Sequence, residues 1–98
     1  MRRVNIEKFI PLIANFARAN NLKYVGLFGS EARGDAREDS DVDVMIKFNK
    51  PVGMFAFVGM QEELSKIFQA TVDLQTQKSI NYKIKPYIEK DLITLYEE

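Results

Sequence analysis

The sequence predicts a small α/β domain in which helices pack on one mixed sheet of three or four strands. Two observations predict this class. Segments with apolar residues at helical spacing alternate with short apolar runs typical of strands, in the order α-β-turn-β-α-β-α-β. The chain has 98 residues, of which 46% are apolar and 11% aromatic, and this is enough for one packed core. We therefore expect a single domain over residues 1–98.

The first part of the chain predicts a helix, a buried strand and a turn. Apolar residues recur at helical spacing behind Asn5, a candidate N-cap, so a helix is expected from Asn5 to about Ala19. Pro11 lacks the backbone N–H that bonds to the preceding turn, so we expect it in the first turn or so, or a helix that begins nearer to it. Residues 22–28 (LKYVGLF) predict a strand, and the polar residues 29–40 predict a short helix plus a loop.

The remaining part predicts three further strands and two further helices. Residues 41–48 (DVDVMIKF) alternate in their first half, which predicts a strand with Asp41 and Asp43 on one face and valines on the other. The other elements follow in order: a helix of about fifteen residues from Met54, a strand over 70–76, a helix capped by Ser79 with Ile80, Ile84, Tyr87 and Ile88 turned inward, and a closing strand over 92–96.

Composition narrows the possible chemistry. The chain contains no His and no Cys, which excludes Ser-His and Cys-His catalysis, imidazole or thiolate metal sites, and disulfides. Any metal must then bind carboxylate oxygens, which suit Mg²⁺, Mn²⁺ or Ca²⁺. The 14 basic residues balance the 14 acidic ones, so direct nucleic-acid binding is not expected. No apolar run approaches the roughly 18 residues of a membrane span, and we expect a soluble cytoplasmic protein.

Three familiar phosphate or metal motifs do not fit the glycine-rich and acidic block of residues 29–43. Gly29 and Gly34 have the spacing of a P-loop, but Asp35 stands where the phosphate-binding Lys belongs. A calcium loop counted from Asp39 lacks the Gly and the Glu that it requires. A dinucleotide-binding fingerprint needs a third glycine, which is absent from this block.

The same block fits phosphoryl or nucleotidyl transfer. A strand delivers Gly29 and Ser30 to a turn, where backbone N–H groups and the Ser30 hydroxyl can hold phosphate oxygens. Asp41 and Asp43 could hold two Mg²⁺ ions about 3.5 to 4 Å apart. Asp73, in the middle of the third predicted strand, supplies the third carboxylate that such a site needs. Its apolar neighbours predict a buried strand, in which an unpaired charge is costly, so a metal partner is favoured.

The run GSEARGDAREDSDVDVMI, with VDL further on, resembles the minimal nucleotidyltransferases of the DNA polymerase β superfamily, which are antitoxins paired with HEPN toxins. Their pattern is a Gly-Ser turn, an Asp-x-Asp pair and a third Asp on a later strand. The resemblance implies that Asp41 and Asp43 bind both metals and that Asp73 helps to bind the catalytic one. It implies that Gly29 and Ser30 hold the β- and γ-phosphates of ATP. It also implies AMP transfer to a tyrosine hydroxyl of a cognate toxin, and a hetero-oligomer with that toxin.

Three roles stay open at this level. Arg33 belongs to the same motif and would either neutralise phosphate charge or pair with Glu31, Asp35 or Glu38 to hold the loop. Ser30 could act as the N-cap of the short helix, which is compatible with phosphate binding. Phe55 and Phe57 cannot share one helix face, so one of them is expected to be exposed and to suggest a partner surface.

Three functions stay open as well. The chain could be an enzyme that inactivates a toxin by AMP transfer, or a non-catalytic antitoxin that neutralises the toxin by binding and masking it. The complete set of three acids favours the enzyme. Transfer to a small molecule such as an antibiotic is a weaker possibility, because relatives of that type usually carry an additional domain that holds the acceptor.

Overall fold

The computed structural model describes residues 6–34, 40–79, 83 and 85–98. The chain forms helices and strands in the predicted order: α1 (Ile6–Ala19), β1 (Leu22–Phe28), α2 (Gly29–Arg33), β2 (Val42–Phe48), α3 (Met54–Phe68), β3 (Val72–Thr76), a short 3₁₀ turn (Gln77–Ser79), α4 (Lys85–Asp91) and β4 (Ile93–Glu97). The predicted α/β class is confirmed. None of the helices in the described ranges is long and apolar enough to cross a membrane.

The four strands form one mixed sheet in the order β3-β2-β1-β4. β1 runs antiparallel to both β2 and β4, whereas β2 and β3 are parallel. The register pairs Phe28 with Asp43, and Asp43 with Asp73. The end of β1 and the starts of β2 and β3 therefore lie at the same edge of the sheet. The residues predicted to carry the chemistry all lie at or next to this edge.

The two faces of the sheet carry different layers. One face packs against α1 and α3 in the main core, whose fully buried members include Ile13, Val25, Leu27, Val42, Val44, Ile46 and Leu64. The other face carries a smaller cluster of Tyr24, Phe28 and Met45, which Ile88 and Leu92 cover from the α4 side. Because side chains alternate along a strand, Asp43 shares the face of Met45 and lies opposite Val42 and Val44. The predicted separation from the valines is confirmed for Asp43, whereas Asp41 lies just before the strand.

Helix α1 differs from its prediction at the proline. Pro11 is the sixth residue of a helix that begins at Ile6, beyond the first turn where it was expected. It lies on the exposed side and the helix continues through it. The opposite side buries Ile13, Phe16 and Ala17 in the core, and this burial outweighs one missing backbone hydrogen bond. Asn5, the predicted N-cap, lies outside the described residues.

The segment after β3 also differs from its prediction. Ser79, the predicted helix cap, is the last residue of the 3₁₀ turn, Lys83 lies in a turn, and α4 begins at Lys85. Pro86 is the second residue of α4, where its missing N–H interrupts no helical bond. Ile88 packs against the sheet as expected, but Tyr87 is 73% exposed, so its inward placement was wrong. The predicted inward Ile80 and Ile84 lie outside the described residues.

Candidate active site

Gly29 and Asp43 form the centre of the candidate site. Gly29 follows the last residue of β1 with a φ of +75°, in the left-handed region that favours glycine. A β-carbon built on Gly29 would overlap Oδ2 of Asp43 and would lie 3.1 Å from its Cγ. The turn that begins at Gly29 therefore approaches the carboxylate of Asp43 as closely as only a glycine allows.

The electrostatics of Asp43 reflect the charges of the two other predicted acids. Its pKa is raised from an ordinary 3.8 to about 6, first of all because the half-buried carboxyl group is desolvated. The negative charges of Asp73 and Asp41 raise this pKa further, and so does a hydrogen bond with the side chain of Asp73. The charge of Arg33 acts in the opposite direction. A cation at this point would relieve the repulsion between the carboxylates.

Asp73 is paired with Asp43 but is not buried. The structure exposes its side chain, although its neighbours Val72 and Leu74 are 1% and 4% exposed. The expectation of a buried strand around Asp73 was therefore half right. The apolar neighbours face the core, whereas Asp73 lies on the opposite face of β3, which is the outermost strand on its side of the sheet. Asp41 precedes β2 by one residue and is also exposed.

Ser30 lies in the first turn of α2 and is half-buried. The N-cap position of this helix is occupied by Phe28, with extended backbone, so the alternative role of Ser30 as the N-cap was wrong. The helix has five residues and ends at Gly34, whose φ of +81° closes the turn. This short element places Ser30 directly after the residue that contacts Asp43.

Arg33 makes a contact that the sequence did not suggest. Its Nη1 donates a hydrogen bond to Oδ2 of Asp91 at 3.1 Å, which joins α2 to α4. Asp91 was not among the expected partners, because nothing local links residues that are 58 positions apart. Of the expected partners, Glu31 is buried at 4% exposure, whereas Asp35 and Glu38 lie outside the described residues. The influence of Arg33 on the pKa of Asp43 places its charge near the carboxylates as well.

The carboxylates fit a magnesium or manganese ion by their donor chemistry. Hard oxygen ligands are those that Mg²⁺ and Mn²⁺ take in proteins, and Asp43 and Asp73 present them side by side. In the described part of the chain, no three acidic residues form a complete preformed set of metal ligands. Magnesium sites of nucleotide enzymes usually combine one or two carboxylates with substrate phosphates and water.

Comparison with known proteins agrees with this geometry. The model of the family described as nucleotidyltransferase domain matches residues 10–95. A protein of Methanocaldococcus jannaschii, provisionally named a protein adenylyltransferase, is 44% identical over 75 residues, which cover 74% of this chain and 75% of that protein. Protein adenylyltransferase MntA of Thermococcus cleftensis is 31% identical over 72 residues, which cover 74% of this chain and 73% of the relative.

Solved structures show the same fold. A chain in the crystal structure of a toxin-antitoxin complex with AMP-PNP superposes with a TM-score of 0.76 at 22% identity, covering 97% of this chain and 75% of its own length. A chain in the structure of tri-AMPylated HEPN toxin from Shewanella oneidensis, in complex with MNT antitoxin, has a TM-score of 0.71 at 18% identity and covers 95% and 73%. With the family match over residues 10–95, the chain belongs to the nucleotidyltransferase domain family and is a nucleotidyltransferase.

Proposed function

We propose that this nucleotidyltransferase is an antitoxin that transfers AMP from ATP to a tyrosine hydroxyl of a HEPN toxin in the cytoplasm, where ATP is available. The observation that carries the proposal is the convergence of Gly29, Asp43 and Asp73 at one edge of the sheet. These residues come from three separate parts of the sequence motif, and the fold brings together the phosphate-binding turn and the carboxylates that the reaction needs.

Each residue has a role in the proposed reaction. Gly29 and Ser30 hold the β- and γ-phosphates of ATP, because the turn begins beside the carboxylate of Asp43 and backbone N–H groups of such turns bind anions. Asp41 and Asp43 hold two Mg²⁺ ions, or Mn²⁺ in their place, and Asp73 completes the ligands of the catalytic ion. The chemistry that these ions supply when bound is neutralisation of phosphate charge and activation of the attacking hydroxyl.

The proposed transfer is balanced. The tyrosine oxygen forms a bond to the α-phosphorus of ATP, and the bond from that phosphorus to the oxygen that bridges to the β-phosphate breaks. Pyrophosphate leaves with that oxygen, and the hydroxyl proton passes to water. The contribution of the chain is to align the phosphates against the carboxylates before the acceptor arrives, so that the reacting groups are already oriented.

The comparisons support both the reaction and the partner. The relative at 31% identity is named protein adenylyltransferase, and the relative at 44% identity carries the same name provisionally. Structures of the same fold include a toxin-antitoxin complex with AMP-PNP, an analogue of ATP, and a complex of an MNT antitoxin with an AMPylated HEPN toxin. AMP as the transferred group and a HEPN toxin as the acceptor are therefore the choices that fit this chain best.

A second candidate function is an antitoxin that acts by binding alone. The observation that favours it is an exposed apolar segment around the start of α3. Phe55 is 95% exposed and Met54 75%, which confirms that one of the two phenylalanines at this helix faces outward. Because α3 follows the far end of β2 from Asp43, this surface is separate from the carboxylates. Large exposed apolar side chains are typical of surfaces that bind another protein.

One experiment separates the two functions. The protein is incubated with Mg²⁺, ATP and the product of its neighbouring gene, and both proteins are weighed by intact mass spectrometry. A gain of one or more AMP units on the partner, absent with Asp43→Asn, is expected for the enzyme. The substitution removes a metal-binding charge at almost constant shape, so gel filtration of this variant with the partner should still show the complex. A stable complex without any AMP gain would instead support masking.

A further inference from the structure

A side-chain hydrogen bond on the exposed face of β3 connects the third carboxylate to its own strand. The Nε2 of Gln75 donates to Oδ1 of Asp73 at 3.0 Å. The two residues are two positions apart, so their side chains project from the same face of the strand. Gln75 is half-buried, whereas Asp73 is exposed. The better-packed side chain therefore holds the more exposed one.

The carboxamide of Gln75 is itself held by the turn that follows β3. The Oγ of Ser79 lies within donating distance of Oε1 of Gln75, at 3.1 Å, and of the Thr76 carbonyl oxygen, at 2.9 Å. The same Oγ accepts the Thr76 N–H at 3.0 Å, and the Ser79 N–H donates back to Oγ1 of Thr76 at 3.1 Å. Ser79 is thus tied to the end of β3 by reciprocal bonds before it reaches Gln75.

This arrangement determines the direction of the amide. A glutamine side chain has one acceptor oxygen and one NH₂ donor group. Because the oxygen of Gln75 faces the Ser79 hydroxyl, its NH₂ group faces the carboxylate of Asp73. Oδ1 of Asp73 thus accepts from Gln75, and the same carboxylate also forms a hydrogen bond with the side chain of Asp43, beside which the metal ion is proposed to bind. A polar partner that orients a metal-binding carboxylate is a common source of affinity in metal sites.

We propose that Gln75, oriented by Ser79, is a positioning residue that holds the carboxylate of Asp73 ready to bind the metal ion. The proposal rests on the proposed function, in which Asp73 is a metal ligand. Burial does not hold Asp73, since its side chain is exposed on an edge strand, so ordering it at the moment of metal binding would cost conformational entropy. The hydrogen bond from Gln75 lowers that cost in advance.

The test compares the Mn²⁺ affinity of the unsubstituted protein with that of four variants: Gln75→Leu, Ser79→Ala, Gln77→Leu and Asp73→Asn. Gln75→Leu removes both hydrogen bonds of Gln75 at similar size. Ser79→Ala leaves the bond to Asp73 in place and removes the Ser79 hydroxyl, with its contacts to Gln75 and Thr76. Gln77→Leu is the matched control on an exposed residue outside the network. Mn²⁺ affinity is measured by electron paramagnetic resonance without ATP. Gln75→Leu should weaken Mn²⁺ binding about 10-fold, the lower end of the effect of such partners. Ser79→Ala should weaken it less, and Gln77→Leu should bind like the unsubstituted protein. Should Gln75→Leu fail to fold, Gln75→Asn, which is too short to reach Asp73, replaces it.

A second readout works on the metal-free protein. The side-chain NH₂ resonances of Gln75 in a ¹H–¹⁵N spectrum should shift in Asp73→Asn and in Ser79→Ala, whereas those of Gln77 should not. In transfer assays, Gln75→Leu should require about 10-fold more Mg²⁺ for the half-maximal rate, with little change at saturating Mg²⁺.

The outcomes distinguish this inference from the function on which it rests. Equal Mn²⁺ affinities for Gln75→Leu and Gln77→Leu would overturn the positioning role. Asp73→Asn serves as the fourth variant: if it binds Mn²⁺ as well as the unsubstituted protein, Asp73 is not a metal ligand, and the proposed site itself fails. If Asp73→Asn loses the metal while Gln75→Leu keeps it, the site stands and only the role of Gln75 is refuted.

Discussion

The side chain of Asp43 occupies the space beside Gly29 that a β-carbon would need, because a β-carbon on Gly29 would overlap the Oδ2 of Asp43. The contact joins the turn after β1 to the start of β2, and these are the two parts of the motif that the proposed reaction brings together. Two constraints therefore favour glycine at position 29: its positive φ, and the lack of room for a β-carbon beside Asp43.

Gly29→Ala is expected to destabilise the fold and to abolish transfer. The strained backbone and the overlap with Asp43 together should lower the free energy of unfolding by about 1–3 kcal/mol. Urea unfolding and the AMP-transfer assay measure the two effects. Gly34→Ala is the control for strain alone, since Gly34 has a φ of +81° but open space around it, and it should cost about 1 kcal/mol. Gly59→Ala, in the middle of α3 with open space, should stabilise by about 0.5–1 kcal/mol. Equal losses for Gly29→Ala and Gly34→Ala would show that the contact with Asp43 does not matter.

The raised pKa of Asp43 predicts a pH-dependent stability in the absence of metal. The folded protein binds this proton more tightly than the unfolded chain does, with a pKa of about 6 against an ordinary 3.8. The stabilisation is therefore fully present below about pH 4 and is lost as the pH rises through 6. Allowing for the partial exposure of the group, we expect the free energy of unfolding to fall by about 1–2 kcal/mol across this pH range, relative to that of Asp43→Asn.

Urea titrations of the unsubstituted protein and of Asp43→Asn, with a chelator present at pH 4 and pH 7, measure the difference between their free energies of unfolding. A difference that is independent of pH would contradict the raised pKa. Mg²⁺ competes with the same proton, so its stabilising effect on the unsubstituted protein should grow between pH 5 and pH 7.

Comparison of Arg33→Ala with Asp91→Ala decides between the two roles of Arg33. The ion pair lies near the surface, with side chains 46% and 24% exposed, so its loss should cost at most about 1 kcal/mol of stability in either variant. If Arg33 also neutralises phosphate charge, Arg33→Ala should raise the KM for ATP about 10-fold or more, while Asp91→Ala should leave it nearly unchanged. Similar KM values for ATP in the two variants would assign Arg33 a structural role.

Two phenylalanines of α3 should respond oppositely to truncation. Phe68 is 6% exposed and its ring lies 5.0 Å from that of Phe9, so Phe68→Ala should cost about 3–5 kcal/mol. Phe55 is 95% exposed, so Phe55→Ala should change stability by no more than about 0.5 kcal/mol. Thermal unfolding of both variants checks the pair. A large loss for Phe55→Ala would mean that the start of α3 packs differently from the structure.

Local patterns predicted most of the elements. The helical spacing of apolar residues predicted α1 and α3 almost to their ends, and alternation in β2 predicted the faces of Asp43 and its valines. These signals succeed because the periods of helices and strands are properties of neighbouring residues. They were weaker after β3, where no periodicity indicated that a 3₁₀ turn and a separate α4 would replace one helix.

The sequence by itself determined the residue types of the candidate site: the turn at Gly29 and Ser30, the pair Asp41 and Asp43, and the later Asp73. Only the tertiary structure decided how they meet. The parallel pairing of β2 with β3 places Asp73 beside Asp43 and leaves it exposed at an edge, and the packing of α4 gives Arg33 its partner Asp91. Pairing register and the raised pKa of Asp43 arise from contacts between distant segments, which no local period encodes, because they depend on how the whole sheet buries its apolar face.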